Sequence, residues 1–483
     1  MRYPHPDERS YLSRRVFLTH ALGVVFTLGV EPHLTRVLSR ADEPPPNPYR
    51  GGVWLAGDHH IHTKYSSDGK YEIAKQVGEA VQHGLGWCVI TDHGAKDHDK
   101  ILLKKAYPDL LEARRAYPNI FVFQGLEWNV PAAEHGTVIM PMGEDEARRL
   151  AEFEARFDPK NTSLGQPPDT EEAALEAVRY LERFVPAALF FANHPARRGL
   201  VSPHELRAWS DVGKRVMRGF EGAPGHQMDK MRGAYRQKPS AQSWQKYPPE
   251  SYLTYDGFDW MTATVGGVWD SLLAEGRPIY ITANSDSHVH YKEGGSDFFP
   301  GEYSKTITWL PERRPSAVLE ALRSGSMFTV HGDLIDRLEF YVRAGDRHAR
   351  MGGTLLLPPR VRRVQVVIRV RVPSSTNFAG QRPTLHHVDL IEGKITGVSA
   401  DRDNFTNPTA RVAARFLARD WKRDDDGYLR MEHVIEDPSE PFYLRVRGTN
   451  TSRREPFPDP PNVAAPWAAL WFYSNPIFVR LAG

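Results

Sequence analysis

From Gly52 to about residue 330, short apolar runs alternate with longer stretches of helical periodicity. The run 53–56 precedes a predicted helix over 71–83, and 87–91 precedes one over 100–116. Residues 120–126 form a strand pattern that ends at Glu127, and 138–140 is a further strand candidate. Residues 170–184 read as helix and 187–192 as strand. A strand lies near Phe220, followed by helix at 266–275, strand at 279–283, strand at 306–310 and helix at 316–323. Apolar runs this short suit buried strands, and the stretches between them are long enough for crossover helices. The pattern predicts an α/β fold whose parallel sheet closes into a barrel, with the chemistry gathered at the strand C-termini.

After Gly332 the period changes. Strand-like runs at 338–342, 364–372, 387–391 and 442–446 are separated by turn residues, so 332–483 is expected to be a β-sandwich domain. The apolar, Trp- and Phe-rich stretch 467–477 reads as a docked terminal segment. Two stretches interrupt the βα pattern. One, near 225–262, carries Tyr235, Trp244, Tyr247, Tyr252, Tyr255 and Phe258, and suits either a lid over the barrel mouth or loop packing. The other, 143–170, is charged and is expected to cover the outside of the barrel.

The N-terminus adds a destination. Ser13-Arg14-Arg15-Val16-Phe17-Leu18 resembles a twin-arginine export signal, with a moderately apolar run at 21–30 and Ser39-Arg40-Ala41 as a cleavage site. Residues 1–41 are therefore expected to be a signal peptide and 42–51 a Pro-rich linker. The partner would be the twin-arginine export machinery and the location periplasmic or secreted; the alternative is a cytoplasmic protein with an N-terminal amphipathic helix. The apolar run is too short for a stable membrane anchor. A net charge of +2 with 25% charged residues gives no bulk attraction to nucleic acid. The single cysteine, Cys88, excludes an intramolecular disulfide framework and a Cys-rich zinc site, and its apolar neighbours suit a buried packing role.

The candidate chemistry sits where the barrel pattern calls for it. Asp58-His59-His60-Ile61-His62 closes the first strand, and alternation would put Asp58, His60 and His62 on one face. Asp92-His93 ends the second strand and Glu127 the third, with His135 a short loop later. Asn193-His194-Pro195 ends another, and Asp286 and His288 share parity after 279–283. Imidazole and carboxylate donors suit Zn, Mn or Fe rather than Ca. Two close ions sharing a carboxylate can activate a water and polarise a substrate oxygen, which is hydrolytic chemistry. A structural metal site would be closed and four-coordinate, and this inventory is larger and richer in carboxylates.

Taken together, Asp58-x-His60-x-His62, Ser67-Asp68-Gly69, Asp92-His93, Glu127, His135, His194-Pro195 and Asp286-x-His288 resemble the polymerase and histidinol phosphatase (PHP) superfamily of metal-dependent hydrolases, over residues 52–331. The resemblance implies a distorted (β/α)7 barrel binding two or three divalent ions. It would give His60, His62, Glu127 and Asp286 to the first ion. Glu127, bridging, would hold the second with His135 and His194, and Asp68, His93 and His288 would hold the third. Asp68 stands where some members have histidine. It further implies a metal-bridging hydroxide as nucleophile. The stretch 321–332 resembles the junction in a PHP branch that includes carbamate- and ester-cleaving enzymes.

Glu127, Asp286 and Arg197 are the candidate catalytic residues. Arg197-Arg198 suits an anionic group or a solvated loop. His59 has the wrong parity for the first site and suits packing or support behind the ligands, Asp92 could orient His93, and Glu221 suits closing the barrel mouth, binding water or ordinary loop polarity. His226, His290 and His331 read as surface or packing histidines. The reading is an exported metal-dependent hydrolase of a small-molecule ester, with phosphoesters first and carboxylic esters or carbamates as the alternative. A non-catalytic periplasmic metal- or ligand-binding protein is the alternative of another class.

Overall fold

Strand β1 (Val53–Asp58) lies beside β2 (Trp87–Ile90) in parallel, and β2 lies beside β3 (Phe121–Asn129). The helix Ile73–Gln82 fills the first crossover, turning Ile73, Val77 and Ala80 inward. The expected helix over 100–116 is three joined pieces: His98–Ile101, a π-helical turn Leu102–Ala106, and Tyr107–Ala116. The computed structural model describes residues 47–225, 251–459 and 465–482. The expected signal peptide and most of the linker lie outside them, as do His226, Tyr235, Trp244 and Tyr247 of the aromatic stretch.

The parallel alternation breaks after β3. Only Val130–Glu134 separates β3 from β4 (His135–Ile139), too short a connection for a parallel crossover, and the two pair as an antiparallel hairpin. Strand β5 (Leu189–Ala192) is antiparallel to β4, and β6 (Met217–Ala223) returns to parallel beside β5. The strand Tyr280–Ala283 follows β6 in parallel. On the other side of β1, Ser304–Leu310 is antiparallel, with Val53 opposite Leu310. Thr306 spans the two ends of this path: its Oγ1 accepts from Ala283 N at 2.8 Å and lies 3.0 Å from Ala283 O. The chain is thus a mixed α/β protein whose N-terminal sheet path carries antiparallel strands among parallel ones.

The helix Glu171–Phe184 starts where Thr170 caps it, accepting from Ala173 N. The stretch 143–170 contains the helix Glu146–Phe157, whose Phe153 packs edge-on against Trp128 of β3. Its C-cap Asp158 accepts from Asn129, so this stretch braces the end of β3 rather than only covering a surface.

Residues 332–482 add a large β region. Arg337–Ala344, Arg363–Arg371 and Leu429–Glu436 form the centre of a five-stranded antiparallel sheet. Phe442–Thr449, His387–Lys394 and Trp471–Ser474 belong instead to the sheet that contains β1. Trp471–Ser474 pairs with Met327–His331, so hydrogen bonding runs across residue 332. Pairing there removes an open edge that Met327–His331 would otherwise present. One apolar cluster takes Phe340, Val366 and Ile368 from the five-stranded sheet and Leu390, Leu444 and Phe472 from the other. Residues Pro46–Gly483 form one compact unit.

Candidate metal centre

After β1 ends at Asp58, the chain stays extended. Ile61 bridges to Ser287, and His62 N donates to Ser287 O at 2.9 Å. His60 and His62 therefore project together, with their Nε2 atoms 3.0 Å apart. A bridge from His93 to Glu127 continues the β2–β3 pairing beyond Ile90 and brings those side chains side by side. The β3–β4 hairpin sets Asn129 opposite His135, and Asn193 N donates to His135 O, which places His194 next to His135. Asp286 and His288 arrive from the strand Tyr280–Ala283. Asp286 and His194 both hold left-handed backbone, at φ 49° and 27°, a conformation that non-glycine residues keep only where their surroundings impose it. Gly225 lets the chain pass close by: a Cβ there would lie 2.6 Å from Asp286 Cβ.

Glu127 is the hub. Its Oε1 lies 3.0 Å from His194 Nε2, 3.1 Å from His135 Nδ1 and 3.2 Å from His60 Nε2. Its Oε2 lies 2.9 Å from His93 Nδ1 and 3.2 Å from His62 Nε2. Asp286 Oδ1 is 3.1 Å from both His60 and His62 Nε2. Asp68, half-exposed, reaches His93 Nε2 at 3.3 Å and His288 Nε2 at 3.6 Å.

Four overlapping groups result, each with one ligand atom per residue within 4.8 Å of the others. They are His60, His62, Glu127 and Asp286; His93, Glu127 and His135; Glu134, His135 and His194; and His62, Asp68, His93 and His288. Every ligand expected from the sequence falls in one of them, and Glu134 joins.

The donors suit a divalent cation. His60 Nδ1 faces Glu221 Oε1 at 2.7 Å and His62 Nδ1 faces Ser66 Oγ at 3.0 Å, so both rings, when neutral with Nδ1 protonated, turn an Nε2 lone pair inward. Buried His194 Nδ1 and Glu134 Oε2 have no hydrogen-bond partner among the described residues. The charges of the donors lean on one another. Burial opposes ionisation of Glu127, but the charges of His60, His93 and His135 outweigh it and hold the carboxyl well below its usual range. Burial likewise opposes charge on His93, which Glu127 and Asp68 nonetheless raise to about 10. Burial, reinforced by Arg197, lowers His194 to about 3.

Some expectations change here and others keep one of their alternatives. Asp58 does not join the cluster: its carboxylate accepts the backbone N–H groups of His60 at 2.9 Å and Ser285 at 3.0 Å, and burial pushes it up to about 7. Asp92 takes Thr63 N at 2.6 Å and Thr63 Oγ1 at 2.8 Å, bracing the loop after His62 instead of orienting the His93 ring. Arg197 reaches the cluster's edge, with Nη2 2.5 Å from Glu134 Oε1 and 3.5 Å from His135 Nδ1; Arg198 is exposed. His59 turns away, stacked on Phe191 with Nε2 2.8 Å from Thr282 Oγ1. Phe258 packs on His331 and Tyr473, so that part of the aromatic stretch is core. His290 pairs with Glu302 at 2.9 Å, a packing role.

Two carboxylates carry more than the sequence reading gave them. Glu134 was visible as the neighbour of His135, and Glu221 obeys the same strand-end rule as Glu127, on β6. The amide of Asn193 also takes part: its Nδ2 donates to Glu127 Oε1 at 3.0 Å and lies 3.4 Å from His60 Nε2.

Residues 58–175 match the family model of the PHP domain. None of the curated proteins matches the chain. Among solved structures, it is similar to a two-domain protein from Bacteroides vulgatus described as containing a PHP-like metal-dependent phosphoesterase. That likeness has 16% identity, 87% of this chain and 96% of that one covered, and a TM-score of 0.35. It is also similar to the lesion-specific endonuclease Q of Pyrococcus furiosus, with 14% identity, 56% of each chain covered and a TM-score of 0.33. A third likeness is to a protein from Bifidobacterium adolescentis described as a metal-dependent phosphoesterase, with 16% identity, 50% of this chain and 90% of that one covered, and a TM-score of 0.27.

Proposed function

We propose that this protein is a metal-dependent hydrolase of phosphoesters. The observation that carries the reading is the sharing of Glu127 between donor groups whose atoms converge within 4.8 Å. His60, His62 and Asp286 would hold a first divalent ion with Glu127; His135 and His194 would hold a second; Asp68, His93 and His288 a third. Bound there, ions of the Zn, Mn or Fe kind supply activation of water and polarisation of a substrate oxygen. The chain's own residues set the stage for that chemistry. Asn193 steadies Glu127, and Glu221 fixes the His60 ring. Glu134 holds Arg197 beside His135, so its charge borders the space a phosphoryl group would enter.

The metal domain on this reading is a distorted (β/α)7 barrel, supported by the strand order β1 to β6 and the Thr306 link, and 332–483 is a β-sandwich, supported by the shared apolar cluster. The twin-arginine-like segment supports export to the periplasm. Carboxylic ester or carbamate hydrolysis uses the same donors and is the outcome the test must separate.

The test is metal analysis of the purified protein with a turnover panel of a nitrophenyl phosphate, a phosphodiester, a carboxylic ester and a carbamate, each with and without chelator. Two or more equivalents of metal and chelator-sensitive phosphate release are expected. Cleavage of the ester or carbamate alone would overturn the phosphoester assignment. Bound metal without any turnover favours a binding protein.

A further inference from the structure

Glu221 is fully buried on β6, between β5, which delivers His194, and the strand Tyr280–Ala283, which delivers Asp286. Its two oxygens are divided between two donor groups. Oε1 takes His60 Nδ1 at 2.7 Å and Asn284 Nδ2 at 3.0 Å. Oε2 takes the backbone N–H of His194 at 2.7 Å. His60 belongs to the group with His62, Glu127 and Asp286, and His194 to the group with Glu134 and His135.

We infer that Glu221 is a positioning residue that holds one histidine of each group at once, so that the two groups gain or lose affinity for metal together. The inference rests on the metal-dependent reading above. Donation from His60 Nδ1 fixes the ring with Nε2 toward Glu127 and Asp286, the orientation a ligand needs. His194 stands at φ 27°, a backbone conformation that persists only where the surroundings hold it, and Oε2 provides that hold. With Glu221 removed, three buried N–H groups lose an acceptor: His60 Nδ1, His194 N and one on Asn284 Nδ2. Only a group with two acceptor oxygens serves both histidines; an amide in its place turns an N–H toward one of their two N–H groups.

The experiment titrates Zn²⁺ into chelator-stripped full-length wild type, Glu221→Gln, Glu221→Ala and His135→Ala, followed by calorimetry, with Co²⁺ absorption spectra as a second readout. Circular dichroism establishes that each variant is folded, and Glu221→Gln carries the test if the alanine variant is not. Both Glu221 variants are expected to weaken two binding events together, by ~10–100-fold, and to alter the Co²⁺ spectrum. His135→Ala is expected to weaken one event and spare the other. Unchanged affinities in the Glu221 variants would overturn the inference and leave the metal reading standing, as would weakening of a single event. A wild type that takes up no metal would overturn both.

Discussion

Asp286 and His60 meet Nε2 to Oδ1 at 3.1 Å inside the group centred on Glu127. Their replacement removes a ligand rather than a ligand's support. Asp286→Asn and His60→Ala are expected to lower kcat/KM by more than the ~10–100-fold typical of an outer partner, with the far-ultraviolet dichroism intact. Full activity in either variant would show that the reacting atoms lie elsewhere. A second residue acts on stability alone. His387 is buried, and its Nε2 has no hydrogen-bond partner among the described residues. Burial, against the pull of Asp389, holds it down at about 4. The unfolded chain, near the ordinary histidine value, takes up that proton first as pH falls, so stability present above about 6.5 declines toward pH 4. The slope from this one group is on the order of 1 kcal/mol per pH unit. Urea denaturation of His387→Gln is expected to show a shallower decline over that window, and an identical slope would exclude the group.

Among the elements, the helix Val268–Ala274 joins the α/β part to the β region. Its Asp270 is fully buried and takes Arg445 Nε at 2.9 Å and Nη2 at 2.6 Å, with Tyr443 OH at 2.9 Å. Asp270→Ala leaves the buried guanidinium without its counter-charge, an effect of about 3–5 kcal/mol. Asp270→Ala with Arg445→Met is expected to recover a large part of that, as read by urea midpoints. Equal loss in the single and double variants would mean that packing, not charge, holds this junction. The junction was not legible in the sequence, because Asp270 and Arg445 stand far apart along the chain and neither belongs to a motif. The β3–β4 hairpin was half legible: residues 138–140 read as a strand, but its antiparallel sense follows from the short Val130–Glu134 link.

For the whole molecule, Pro46–Gly483 form one compact unit that contains the donor groups, so ions bound to the native state alone would stabilise all of it. At a free ion concentration 1,000 times the dissociation constant the gain is about 4 kcal/mol. Chelator is expected to lower the thermal midpoint, and Zn²⁺ or Mn²⁺ to restore it. An unchanged midpoint would count against metal as a native-state ligand. The sequence by itself determined the alternation of strands and helices, the change to a β region after Gly332, and the histidines and carboxylates at strand ends, because period and donor chemistry are local properties of the chain. Only the tertiary structure decided which carboxylates belong to the cluster. Asp58 has the right parity, yet its oxygens serve the N–H groups of His60 and Ser285. Glu221 read equally as a barrel-mouth residue or as loop polarity, and the fold places it between His60 and His194. A carboxylate's role is set by the donors that reach it across the sheet, and those come from residues far away along the chain.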